Sequence, residues 1–244
     1  MRANAVASQN ILNSSVPLTG ASMCSVKFSA CRTSPDNQVD IPLQQSPERF
    51  LRILYQRWNP AGKHRPHRVS EDEVTEWIDG MIIGEQPFEV REAFHCQVRP
   101  LGWRLIGLLN RFGITAELLE DSDYERRHGR YSAGMYFQRK KRVAIKDSAL
   151  FSNRDLVLIH EFGHAIDHLI SSLCSGGHRV SIKLWHWFAP QRNGFVTNYA
   201  TVNPAEYFAE SLQAYFLKAE YAHLQKHDRS MYNFLDDLNT ISRA

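Results

Sequence analysis

The chain has 244 residues, of which 43% are hydrophobic and 23% are charged, a composition that predicts a soluble globular protein with a hydrophobic core. No stretch approaches the ~20 consecutive apolar residues that cross a bilayer, so we expect no membrane span. The formal net charge of +3 is too small to indicate a nucleic-acid-binding protein.

Residues 1–45 predict a disordered tail, because they are rich in Ser, Asn and Gln and show no sustained hydrophobic periodicity. They contain no acidic residue before Asp36 and lack the continuous apolar run of a secretory signal peptide. A polar, acid-poor start also occurs in organellar transit peptides and in bacterial effectors that are injected into host cells. The tail therefore leaves the localisation unknown.

Cysteine usage predicts neither a zinc knuckle nor a redox motif. The four cysteines are Cys24, Cys31, Cys96 and Cys174, and no two of them form a CxxC pair. We expect free thiols, with a bridge between Cys24 and Cys31 as the alternative in an oxidising compartment.

Helical patterns dominate residues 46–112, which we assign to a segment that packs on, or precedes, a domain over residues 113–244. Ser70 and Glu73 are spaced as a capping box. Asn59–Arg68 is a basic connector that contains proline. The predicted helices are Pro47–Trp58, Ser70–Met81, Phe88–Phe94 and Leu101–Phe112.

Three short strands are predicted next. Gly113–Leu119 follows the last of these helices, and Arg130–Gln138 and Lys141–Lys146 flank a polar turn, which predicts a hairpin. An extended polypeptide can pair with the exposed edge of such a sheet as an added strand. An ordinary hairpin with a solvated outer face fits the pattern equally well. The residues that we expect to form the substrate edge are Ser132, Ala133, Gly134, Met135 and Tyr136.

Basic residues cluster on both sides of the first hairpin strand, at positions 126–128 and 139–142. They either favour acidic substrates or keep the hairpin soluble, and solubility is the simpler explanation.

The most informative stretch is HEFGH at residues 160–164. His160 and His164 lie four residues apart, so on a helix both imidazoles point the same way and can hold one zinc ion. Glu161 then faces a water molecule whose pKa the metal lowers, and its carboxylate can remove the proton. This is the HExxH arrangement of zinc peptidases.

The flanks of the motif predict a buried helix over residues 153–173, because apolar residues recur around most of its circumference. Ser152 or Asn153 offers an N-cap, and Gly176-Gly177 offers a stop.

A hydrolytic zinc site needs a third protein ligand and leaves the fourth position to water. The metzincin spacing would place that ligand at position 170, which is Ile170. His168 lies on the same helix as the motif, and one straight helix cannot surround an ion, so we expect it to support a neighbour or to face solvent. His178 and His186 are rivals by residue type, but neither has a spacing that favours it.

Glu206 is the better candidate for the third ligand, because Asn203 and Pro204 predict that a second helix begins just before it. Glu210 lies one turn later on the same face and would orient a ligating histidine. The alternative is that Glu206 only closes a capping box with Asn203.

The segment between the two ligand helices is unusually aromatic for a loop. It runs from Trp185–Phe188 to Phe195–Asn198. Its rings either line a specificity pocket, act as a lid, or fill the core under the catalytic helix, and the core is the simplest of these roles.

HEFGHAIDH, Tyr199 and the stretch NPAEYFAESLQAY that contains Glu206 together resemble the catalytic domain of anthrax lethal factor and the related Pro-Pro endopeptidases. The resemblance covers roughly the second half of the chain. In that family a tyrosine lies seven residues before the glutamate that is the third ligand, and Tyr199 precedes Glu206 by seven residues here. The resemblance implies that Tyr199 stabilises the oxyanion or helps to protonate the leaving amine.

We therefore expect an α+β, zincin-like metallopeptidase with a small mixed sheet, an active-site helix and a helical C-terminal part. His160, His164 and Glu206 would bind one zinc ion, with Glu161 as the base and Tyr199 assisting. The partner would be a polypeptide substrate, such as a host protein, and we expect a monomer. The resemblance further implies a toxin-like protein that is secreted or delivered into host cells without a recognisable signal peptide.

Two alternatives stay open. The chain is either an inactive binding or adaptor module that keeps the fold, or a metallohydrolase that acts on an amide outside a protein backbone. Retention of Glu161 argues against the first, and an open groove along a strand would argue against the second.

Overall fold

The computed structural model describes residues 69–152, 155–174 and 179–243. Within the helices, the side chains of residues 173, 174, 218 and 219 are not described. Several predictions lie outside the described residues, and the domain boundaries stay predictions as well. Those outside are the tail over 1–45, the helix Pro47–Trp58, the connector Asn59–Arg68, the cap Asn153, the stop Gly176-Gly177, the rival ligand His178, and Cys24 and Cys31.

The described part begins with three helices, α1 (Glu71–Asp79), α2 (Phe88–Val98) and α3 (Trp103–Phe112). The predicted capping box is confirmed, since the Ser70 hydroxyl accepts from Glu73 N at 3.1 Å and Ser70 N donates to Glu73 Oε2 at 2.9 Å. Helix α2 continues one turn beyond its predicted end, and α3 begins two residues later than predicted, after a 3₁₀ turn.

A three-stranded sheet follows, with β1 (Thr115–Leu119), β2 (Gly134–Phe137) and β3 (Arg142–Lys146) in the order β1-β3-β2. Strand β1 is parallel to β3, and the chain crosses between them through α4 (Asp121–His128) and β2. Strands β2 and β3 are antiparallel, which confirms the hairpin. Strand β2 therefore lies at one edge of a small mixed sheet.

The long helix α5 (Val157–Cys174) carries the HEFGH motif and packs against β2, β3 and the C-terminal helices. The predicted start near Ser152 is wrong. The first helical hydrogen bond runs from His160 N to Leu156 O at 3.0 Å, while the Ser152 hydroxyl accepts from Asp155 N at 3.2 Å in the preceding turn. The predicted burial is confirmed, since Phe162, Ala165, Ile166 and Ile170 are fully buried.

Four further helices complete the chain, and the α+β class is confirmed. They are α6 (Val180–Phe188), α7 (Pro204–Phe216), α8 (Lys218–His227) and α9 (Arg229–Arg243). All of them contribute to the hydrophobic core that α1–α3 and the sheet also share. Among the described residues, no helix is both long and apolar enough to cross a bilayer.

Part of the predicted aromatic loop is helical, because Trp185–Phe188 forms the end of α6. The buried Asp167 on α5 fixes the first turn of α6 by accepting from Ser181 N at 2.9 Å and from Ser181 Oγ at 2.8 Å. Val180, Leu184 and Phe188 then recur at intervals of four and face the core.

Candidate metal centre

Two helices bring three potential metal ligands together. His160 and His164 lie one turn apart on α5, and Glu206 lies in the first turn of α7. One ligand atom from each lies within 4.8 Å of the others. Glu206 Oε2 is 3.2 Å from His160 Nε2 and 3.4 Å from His164 Nε2. The cluster joins the residues that the sequence analysis selected as ligands.

The start of α7 aims Glu206 at the histidines. Asn203 Oδ1 accepts from Ala205 N at 2.9 Å and from Glu206 N at 3.0 Å, and Pro204 occupies the first turn, as predicted. The cap thus uses the backbone of Glu206 and leaves its carboxylate available. The carboxylate contacts both imidazoles, so its role is not limited to closing a capping box with Asn203.

A glycine lets the two helices approach. A Cβ atom at Gly163, in the middle of the motif, would lie 2.8 Å from Ala209 Cα on α7. Real Cβ atoms essentially never approach a neighbour this closely. The position of Glu206 and Glu210 relative to α5 therefore depends on the missing side chain at residue 163.

The spacing of the ligand atoms matches a divalent metal with nitrogen and oxygen ligands. Bonds of about 2.1 Å arranged tetrahedrally place neighbouring ligand atoms about 3.4 Å apart. The two separations from Glu206 Oε2 are 3.2 and 3.4 Å. This oxygen is buried without a hydrogen-bond partner among the described residues, a situation that is costly unless a cation or a water molecule occupies the space.

Carboxylates dominate the electrostatics of the metal-free cluster. Burial alone would lower the pKa of His160, but its interactions with Glu206 and Glu210 outweigh burial and raise the pKa to about 10. Burial alone would raise the pKa of Glu206, but His160 and His164 hold it at about 2. The cluster therefore favours positive charge between Glu206 and the two imidazoles.

Glu210 supports His160 from the far side of its ring. Glu210 Oε1 lies 2.9 Å from His160 Nδ1, and Glu210 Oε2 accepts from the hydroxyl of Thr197 at 2.5 Å. The same hydroxyl accepts from Ala200 N at 3.1 Å, in the 3₁₀ turn Tyr199–Thr201. Glu210 therefore has the orienting position that the sequence analysis expected.

Thr197 was missed as a site residue. It joins the turn that bears Tyr199 to the carboxylate that holds His160. Its place two residues before Tyr199 is the only sequence signal, and this signal is too weak to distinguish Thr197 from its neighbours.

Glu161 lies against strand β2. Burial raises the pKa of its carboxyl group, and a backbone hydrogen bond from Tyr136 acts in the opposite direction. A Cβ atom at Gly134 would lie 2.8 Å from Glu161 Cγ and 3.3 Å from Glu161 Oε1. The absence of a side chain at Gly134 therefore gives Glu161 its place beside the edge strand.

The five residues predicted as a substrate edge do not play one common role. Ala133 O accepts from Lys146 N at 2.9 Å. In the register of this antiparallel pair, the backbone groups of Ala133 and Met135 therefore point toward β3. The backbone groups of Gly134 and Tyr136 point toward the free edge. The hydroxyl of Ser132 lies 3.0 Å from Tyr124 Oη. Substrate binding by this edge stays a prediction.

Tyr199 lies beside the cluster and is 53% exposed, with its ring centroid 6.2 Å from that of His160. Burial, followed by the negative charge of Glu206, raises the pKa of its phenol. The phenol therefore keeps its proton at neutral pH and can act as a donor.

Two other histidines that were weighed as ligands lie elsewhere in the described structure. His168 Nδ1 is 2.8 Å from the hydroxyl of Tyr136, so it supports the edge strand, and His186 is exposed on α6. Neither belongs to the potential metal cluster. Cys96 is a free, exposed thiol, as expected.

Aromatic residues of the segment between the ligand helices and of α7 pack around Arg192. The Arg192 guanidinium lies 4.6 Å from the ring centroid of Trp185, 4.2 Å from that of Phe195 and 4.7 Å from that of Tyr207. Tyr207 also donates to the buried Asp228 at the start of α9. These rings therefore pack against the first turn of α7, as the core role predicts.

The family model of anthrax toxin lethal factor, N- and C-terminal domain, matches residues 121–238. This range contains α4, strands β2 and β3, and every residue of the cluster, so the predicted resemblance to lethal factor is confirmed there. Among solved structures, the PRO-PRO endopeptidase (PPEP-2) from Paenibacillus alvei superposes with a TM-score of 0.49 and 17% sequence identity, over 66% of this chain and 99% of that chain. No curated protein sequence matches the chain significantly.

Proposed function

We propose that this protein is a zinc-dependent endopeptidase that cleaves extended polypeptides. One observation carries the proposal: His160, His164 and Glu206 converge within 4.8 Å, while Glu161, the neighbour of His160, lies beside the free edge of β2. Two imidazoles and one carboxylate are the ligand set of hydrolytic zinc sites, and they leave a position open for water. The match to the lethal factor family supports the same class of activity.

The proposed chemistry divides between the metal and the chain. When bound, zinc supplies the Lewis acidity that acidifies water and polarises the scissile carbonyl group. Glu161 accepts the proton of the attacking water and returns it to the nitrogen of the leaving amine. Its burial, which raises the pKa of its carboxyl group, makes it a stronger base than an exposed glutamate.

Two further residues act through hydrogen bonds. Glu210 accepts the proton on His160 Nδ1, which leaves the lone pair of Nε2, on the side of Glu206, available to a metal ion. Tyr199 donates from its phenol to the developing oxyanion or to the leaving amine, a role that its raised pKa and partial exposure permit.

The biological setting forms a second part of the proposal. The matching family model describes a component of a toxin. We propose that this chain likewise acts outside the cell that makes it, as a secreted or host-delivered effector that cleaves a host protein.

The deciding experiment incubates the purified protein with a peptide library, with and without a zinc chelator, and identifies products by mass spectrometry. We expect cleavage that chelator abolishes and zinc restores. The matched control is Glu161→Gln, which should retain about one zinc per chain and lose hydrolysis. Cleavage by this variant would remove Glu161 as the base, and zinc retention without cleavage by the unmodified protein would favour the binding-module alternative.

A further inference from the structure

The turn between β2 and β3 carries concentrated positive charge. Arg139 and Lys140 are exposed in the 3₁₀ turn Gln138–Lys140. Lys141 follows, and its Nζ donates to Phe112 O at 2.8 Å. Arg179, which precedes α6, donates to Gln138 Oε1 at 2.9 Å and so lies against the same turn. We call these four cations the basic turn surface.

No carboxylate in the described part of the chain neutralises this charge. Among the described residues, none of the four cations forms an ion pair, whereas the neighbouring Arg142 and Arg127 both pair with Glu117. Asp167 is close enough to Arg179 for its pKa to respond, but it is buried and its carboxylate binds Ser181. The basic turn surface therefore presents unpaired charge to an incoming ligand.

The basic turn surface lies at the far end of the strand that begins beside Glu161. Strand β2 starts at Gly134, beside Glu161, and runs along α5 away from the cluster. The hydroxyl of Tyr136 accordingly lies beside His168, one helical turn after His164. Four residues separate Gly134 from Gln138, which is about 13 Å at the rise of an extended strand. An extended polypeptide on the free edge would span this distance with about four of its own residues.

We propose that the basic turn surface binds acidic side chains of the substrate about four to six residues from the scissile bond. The enzyme is thus selective for polypeptides with an acidic stretch on one side of the cleaved bond. This inference rests on the proposed peptidase function and adds the substrate class. Contacts this far from the reacting atoms are the same in the ground state and the transition state, so they lower KM rather than raise kcat.

The test uses peptides built around a cleavage site found with the library. One peptide carries two aspartates about four to six residues before the scissile bond, and a second carries them equally far after it. Four more peptides carry a serine pair or a lysine pair at each of these two places. We expect one aspartate peptide to exceed its serine counterpart by about tenfold in kcat/KM, mainly through KM, since two exposed ion pairs give a gain of this order. About 1 M salt should remove the gain. The favoured side reports the direction in which the substrate runs along β2.

The variant Arg139→Glu/Lys140→Glu should lose the preference for aspartate, because two acidic and two basic side chains then leave the basic turn surface without net charge. The matched control is Lys226→Glu/Arg229→Glu, which changes net charge equally on helices that pack with α7 rather than with the hairpin. We expect this control to keep the preference for aspartate. Equal rates for all peptides with the unmodified protein, or the same loss of preference in the control, would overturn the inference.

Failure of the proposed function gives a different result. If the zinc-loaded protein cleaves no peptide, the peptidase assignment fails, and fluorescence anisotropy then tests the surface alone with extended peptides that carry aspartate, serine or lysine pairs. Tighter binding of one aspartate peptide that Arg139→Glu/Lys140→Glu abolishes would support the surface. Equal binding of all peptides would refute it.

Discussion

Gly163 should control the affinity for zinc although it binds nothing, and Gly163→Ala isolates this effect. The added Cβ would lie 2.8 Å from Ala209 Cα and 3.1 Å from Ala209 Cβ. The nearest of these neighbours is a backbone atom, so the contact cannot be relieved by rotating a side chain. Helix α7 has to move away from α5, and it takes Glu206 and Glu210 with it.

The size of the movement follows from the contact. Ordinary contacts begin at 3.4 Å, so an approach of 2.8 Å requires a separation of at least 0.6 Å. The distances from Glu206 Oε2 to the two imidazoles, 3.2 and 3.4 Å, would then grow toward about 4 Å, beyond the ~3.4 Å of a tetrahedral site. Closing the site again costs about 1–3 kcal/mol of overpacking, which corresponds to roughly 10- to 100-fold weaker zinc binding.

The assay is competition for zinc with a fluorescent chelator, together with thermal unfolding of the metal-free protein. Gly107→Ala is the matched control, because Gly107 is also inside a helix and its added Cβ would lie 2.8 Å from the Trp77 ring, on elements that carry no ligand. We expect both variants to unfold at lower temperature and only Gly163→Ala to lose zinc affinity. Zinc binding by Gly163→Ala that equals that of the unmodified protein would refute the reasoning, as would an equal loss in Gly107→Ala.

Three further predictions concern the same centre. Glu206→Ala should reduce zinc retention by at least about 100-fold, because it removes one of three ligands; elemental analysis after dialysis measures this, and unchanged zinc content would mean that another residue is the ligand. Thr197→Val should lower kcat by about 10-fold, because the hydroxyl orients both Glu210 and the turn of Tyr199. Thr197→Ser keeps a hydroxyl and should have the kcat of the unmodified protein. Equal kcat values in the unmodified protein and both variants would exclude this role. Zinc binding should release about one proton between pH 7 and 9. Without zinc, His160 has a pKa of about 10 and must lose a proton to bind the metal, whereas Glu206, with a pKa of about 2, is already ionised. Calorimetry in buffers of different ionisation enthalpy measures the release, and a binding enthalpy that does not depend on the buffer would contradict it.

Features with a local cause were predictable from the sequence. The capping box at Ser70, the cap at Asn203 and the paired imidazoles of HEFGH each depend on residues within one or two helical turns. Their geometry follows from the helix itself, so the surrounding fold changes it little.

Features that depend on distant contacts were not predictable. The role of Thr197 requires Glu210 to lie on a helix that packs nearby, and the role of Gly163 requires a close neighbour at Ala209. The helix over Trp185–Phe188 starts where it does because the buried Asp167, fourteen residues before Ser181, fixes its first turn. In each case the residue type is common, and only the partner across the fold gives it a function.

One backbone group at the free edge of β2 already binds Glu161, which leaves fewer groups there for a substrate. Tyr136 N donates to Glu161, and the backbone of Ala133 and Met135 pairs with β3. In the proposed mechanism a substrate strand therefore has only the outward groups of Gly134 and the carbonyl of Tyr136 to pair with. Because Gly134 also lies beside Glu161, pairing there would fix the register of the substrate relative to the base. That constraint would link selectivity to catalysis, since the basic turn surface and the backbone of Gly134 together limit which peptide bonds reach Glu161.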